Sequence, residues 1–150
     1  MAATNEHAVK VLNSLIETTL DSAHGYRDAA EHVGQAHYRT MFSARASERQ
    51  ELVARLQQEV RSFGGEPEDD QSLLGKMHNK FTELKGSVSG HDDKAVINEV
   101  ERGEDVIKAK YEKVLDDADL PTDVRELVNR AYGEIKAAHD EVSRLKHQLH

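Results

Sequence analysis

Apolar residues recur along this chain at alternating steps of three and four, the period of a helix that buries one face. The first row runs through Val9, Leu12, Ile16, Thr19, Ala23, Tyr26 and Ala30, and Gly34 closes it. A second row passes Tyr38, Phe42, Ala46, Arg49, Val53, Leu56, Val60 and Phe63. It stops at Gly64, Gly65 and Pro67, residue types that end helices. The third contains Ile97, Val100, Glu104, Ile107, Tyr111 and Val114, with Asp92 placed to cap its start. Pro121, whose fixed φ suits a first helical position, opens a fourth through Val128, Ala131, Ile135, Ala138, Val142, Leu145 and Leu149. Strand-like alternation is nearly absent, so the pattern predicts an all-α chain.

Spacing then sets the topology. Short loops join the first helix to the second and the third to the fourth, which predicts two antiparallel hairpins, 5–63 and 92–149. The connection 64–91 must carry the chain back along the bundle, and Leu73, Leu74, Met77, Phe81 and Leu84 predict a short helix within it. That is one ferritin-like four-helix bundle spanning 1–150. The hairpins also echo each other: Tyr26 and Tyr111 hold matching places, with Thr19 and Glu104 seven residues before them.

Composition narrows the chemistry. With no cysteine among 150 residues, thiolate metal sites, disulfides and cysteine nucleophiles are excluded. A net charge of -8 without a basic patch argues against nucleic acid and anionic membrane as partners. The first residues have no secretory pattern, and no apolar run approaches the ~18 residues of a membrane span, so the expected location is cytoplasmic. Neither a phosphate loop nor a nucleophile elbow is present.

Ferritin-like bundles that hold two irons use a Glu from each of two helices and a Glu-x-x-His from each of the others, because residues three apart share a helix face. Glu104 stands on the third apolar row, with Glu101 beside it. His139 is on the fourth helix, but three residues before it stands Lys136. The inward position of the second helix is Arg49, followed three later by Leu52. On the first helix Thr19 faces inward and Glu17 lies on the fringe. No Glu-x-x-His is intact. A lone buried Glu104 would be costly and Arg49 at the same depth would offset that cost, so the expected inner charged cluster is Arg49, Glu104, Lys136 and His139. The competing reading has Arg49 and Lys136 snorkelling to the edge with Glu104 reaching solvent beside them.

Several stretches together resemble one family: Leu12–Glu17, Tyr26–Glu31, Phe63–Pro67, Glu101–Asp105 and Ala138–Asp140. They are similar to a bacterial family of ferritin-like four-helix bundles catalogued as a domain of unknown function. The resemblance runs from about Val9 to Lys146. It implies the bundle fold and a distant kinship with rubrerythrin-type di-iron proteins, and it carries no assigned activity.

The expected function is therefore a non-enzymatic interaction or stress-associated role, with no cofactor and a charged cluster in place of a metal centre. The alternative is an oxidase or peroxide-handling protein with two iron ions on a reduced set, Glu17, Glu101, Glu104 and His139. Leu15 and Leu20, beside the first apolar row, suggest surface left over for a homodimer, with a further protein partner unnamed.

Overall fold

The computed structural model describes residues 2–69 and 93–149. Four helices are present among them: α1 Ala2–His32, α2 Ala36–Ser62, α3 Asp93–Leu115 and α4 Thr122–Leu149. The helix expected around Leu73–Leu84 and the cap expected at Asp92 lie outside the described residues. No described helix is long and apolar enough to cross a membrane.

Local chemistry ends the helices where the sequence punctuates them. After Ser62 the amide of Gly64 donates to the Arg61 carbonyl (2.9 Å) and that of Gly65 to the Val60 carbonyl (3.1 Å). Gly64 itself has φ +77°. This pairing around a left-handed residue satisfies carbonyls that the last helical turn leaves open, and glycine adopts it without the clash that a Cβ would bring. At the other end of the hairpin the α1–α2 loop borrows an acceptor from a distant element. The Asp93 carboxylate accepts from the amides of Gly34 (2.7 Å) and Gln35 (3.3 Å).

Neighbouring helices run antiparallel. α1 packs on α2 and on α3, and α3 on α4. Long side chains span α2 and α4: Arg45 reaches Glu141 at 2.9 Å and Arg55 reaches Glu134 at 3.1 Å. The apolar interior falls into two clusters. The larger, around Leu12, Ile16, Leu56, Tyr111, Val128 and Ile135, fills the end holding the α3–α4 loop. The smaller, around Tyr26, Phe42, Ile97 and Val142, lies toward the α1–α2 loop.

Within the described residues the four long helices read from the sequence are present, with one correction to their faces. Leu15 and Leu20 are buried inside their own bundle, at 0% and 6% exposure. Because α1 packs against both α2 and α3, it buries a wider arc than one apolar row, and these two leucines fill that arc. The surplus apolar surface expected to support a homodimer is therefore absent there. Among the described residues Val106 is the exposed large apolar side chain.

The close of α2 also presses on α1. A Cβ placed on Gly65 would lie 2.8 Å from both Val9 methyls and 3.2 Å from a Val60 methyl. Valine is stiff at χ1, so neither neighbour yields easily. Gly65→Ala should cost about 1–3 kcal/mol in chemical denaturation. Combining it with Val9→Ala should return most of that loss, and equal destabilisation by the single and double variants would refute the contact as its cause.

Candidate functional site

Between the two apolar clusters the bundle changes character. Thr19, Arg49 and Glu104 are buried polar side chains there, and Ala23 and Ala138 supply small, fully buried neighbours from α1 and α4. Each lies on the inward row of its helix, where steps of three and four keep it facing the axis.

Arg49 and Glu104 form the centre. Arg49 Nη1 stands 2.9 Å from Glu104 Oε1 and Nη2 donates to Oε2 at 3.1 Å, a two-pronged pairing of planar groups. The two side chains are 4% and 1% exposed. Nη1 also donates to Ser22 Oγ on α1 at 2.6 Å. The guanidinium carbon sits 5.4 Å from the centre of the Tyr26 ring, which places the cation on an aromatic face. One carboxylate, one hydroxyl and one ring thus surround the cation.

Two tyrosines flank this pair. Tyr111 Oη and Thr19 Oγ1 are hydrogen-bonded at 2.8 Å, and Thr19 Oγ1 donates to the Leu15 carbonyl at 2.6 Å, so Tyr111 donates to Thr19. Burial pushes the Tyr111 hydroxyl up to about 12 despite that hydrogen bond, which opposes the shift. Tyr26 differs. Its buried hydroxyl has no well-formed hydrogen bond to a described residue. Burial first, and the nearby Glu104 carboxylate second, hold it well above the ordinary tyrosine range. Both phenols are neutral at physiological pH.

The expected cluster of four divides into a buried pair and a surface group. Lys136 is 55% exposed and pairs with Asp140 one turn along its own helix at 3.3 Å. His139 faces the α3 edge, where Nε2 meets Asp105 Oδ1 at 2.6 Å and Nδ1 meets Asp140 Oδ1 at 3.4 Å. The reason is phase: Ile135 and Ala138 take the inward positions of α4, which turns Lys136 and His139 toward its flanks.

The reduced metal set is likewise dispersed. Glu101 pairs with Lys146 at 2.8 Å across the α3–α4 edge, Glu17 is half-buried on α1, and Glu104 is held by Arg49. Among the described residues no three His, Asp or Glu side chains converge as metal ligands would. Ser22 was not singled out from sequence. Its spacing from Thr19 and Tyr26 puts it on their face, but a serine gives no periodicity signal.

Known proteins supply the fold. The family profile described as Domain of unknown function (DUF2383) matches residues 7–117, which cover nearly all of α1, with α2 and α3, and stop before α4. Among solved structures, a ferritin-like, diiron-carboxylate protein from Bacillus anthracis is 15% identical with a TM-score of 0.73, over 97% of this chain and 99% of that one. The DPS protein of Vibrio cholerae, described as a member of a broad superfamily of ferritin-like diiron-carboxylate proteins, is 12% identical with a TM-score of 0.74, over 96% and 91%. A protein from Anabaena variabilis with DJ-1/ThiJ/PfpI-like and ferritin-like domains gives 14% and 0.76; this chain is covered over 97% and spans 40% of that longer one. No curated protein matches the sequence.

A di-iron centre does not fit the residues that fill this bundle's middle. Such a centre draws several carboxylates and imidazoles from four helices. Among the described residues this layer offers one buried carboxylate, and a permanently charged guanidinium occupies both of its oxygens.

Stranding either charge should be expensive. Arg49→Leu should destabilise the protein by roughly 3–5 kcal/mol, because it leaves Glu104 buried without its cation. Protonation would remove the stranded charge, so the variant's deficit should shrink as pH falls. Arg49→Leu with Glu104→Met, which removes both charges, should cost much less than the single change. Chemical denaturation of the parent, Arg49→Leu, Glu104→Met and the double variant reads the coupling, and an Arg49→Leu loss below about 0.5 kcal/mol would mean the charges are solvated.

Proposed function

The chain belongs to the DUF2383 family, and we propose that this member works as a binding bundle, with an internal ion pair where ferritin-like di-iron proteins carry metal. The observation that carries this reading is the Arg49–Glu104 contact, 2.9 Å long and almost wholly removed from solvent. A cation is already supplied by the chain itself, and the neighbouring groups are hydroxyls, an aromatic ring and alanines.

The role that remains is an interaction role, of the stress-associated kind expected from the sequence, in a cytoplasmic setting. The alternative, an iron oxidase or peroxide-handling protein, would need Glu17, Glu101, Glu104 and His139 to converge. Ion pairs hold Glu101 and His139 at the α3–α4 edge, and Glu104 is held in the buried pair.

Metal titration tests the proposal. Untagged protein titrated anaerobically with ferrous iron should retain much less than one iron per chain, and oxygen should raise no oxo-bridged absorption band. Two tightly held irons per chain with such a band would overturn the reading.

A further inference from the structure

The four helices are not held alike. α1, α2 and α3 exchange buried polar contacts through Thr19–Tyr111 and Arg49–Glu104. α4 contributes no buried polar side chain among the described residues, and beyond its apolar face it is held at the edges. Those edge ties include Arg45–Glu141 and Arg55–Glu134 to α2, and Lys146–Glu101, Tyr132–Glu112, His139–Asp105 and Arg125 to the Leu115 carbonyl of α3. Of these, the tie through His139 is the one whose side chain belongs to the residue type that changes charge near neutral pH.

Its geometry defines its charge. Both ring nitrogens face carboxylates, Asp105 across the helix pair and Asp140 on α4. Carboxylates only accept, so both contacts are satisfied together only when both nitrogens carry protons, as in the imidazolium ion. We propose that His139 is a proton-operated clasp that sets how firmly α4 is held to α3.

The surroundings agree in sign. Partial burial opposes the imidazolium, and hydrogen bonds to Asp105 and then Asp140 outweigh it, raising the His139 pKa, while Lys108 on α3 opposes them. Asp140 is lowered by the His139 hydrogen bond and by Lys136, and Glu112 lies near enough to feel the imidazolium. A raised folded pKa gives stabilisation that is complete below the unfolded value. It is lost as pH rises through the folded one. The clasp is thus tightest below the ordinary histidine value and loosens as pH rises through the raised one, where a neutral ring can serve only one of the two carboxylates.

Two measurements test the clasp in the full chain. By NMR, His139 should titrate above the ordinary histidine value of 6.5, and Asp105→Asn should move it down. By hydrogen exchange, α4 protection relative to a His139→Gln variant should fall on the order of two- to five-fold between about pH 5.5 and 8.5, the size of an exposed ion pair. A His139 titration at or below 6.5 would overturn the proposal, as would a protection ratio that does not change with pH. The iron titration above is independent of both results, since it concerns the bundle's middle.

Discussion

A buried charge cannot be left alone, and the arrangement of this bundle follows from that constraint. Arg49 belongs to the first hairpin and Glu104 to the second, and each is almost fully withdrawn from water. Sliding one hairpin along the other by a single helical turn, about 5.4 Å, would set a bare guanidinium and a bare carboxylate against separate apolar layers. Leucine and valine layers tolerate many registers. The ion pair tolerates one. It also accounts for the division of the core, because apolar side chains can close only above and below the layer it occupies.

The same layer governs what the fold can do chemically. Its ferritin-like neighbours share the four-helix frame at 15% identity or less, so what passes between them is architecture. In this chain the frame's middle holds one carboxylate, paired in cis, with a ring beneath the cation and a serine hydroxyl beside it. α3 is the hub of this arrangement. It meets α1 through Tyr111, the α1–α2 loop through Asp93, α2 through Glu104, and α4 through Glu101, Asp105 and Glu112.

Much of this was legible in the sequence because helical periodicity carries depth as well as type. Thr19, Arg49 and Glu104 interrupt otherwise apolar rows, and a polar residue that keeps the phase of its neighbours is placed inside with them. Phase is weaker at the flanks. Lys136 and His139 each follow an inward residue by one position, a rotation of about 100°, and local partners on α3 and α4 draw them to the edge. Leu15 and Leu20 were misjudged for the opposite reason. The width of a buried arc depends on how many neighbours a helix has, which is a property of the assembled fold. Ser22 and the setting of the Tyr26 hydroxyl gave no signal, since both depend on contacts between helices.

The contact of Asp93 with the α1–α2 loop bears on how the chain reaches its structure. The amides of Gly34 and Gln35 take their acceptor from a residue 59 and 58 positions further along. A nascent chain that has made only α1 and α2 can pair those helices locally, but it must leave this turn to water until α3 is synthesised and docks. Closure of the turn is accordingly a late event in folding, and its amides report arrival of the second hairpin on the first.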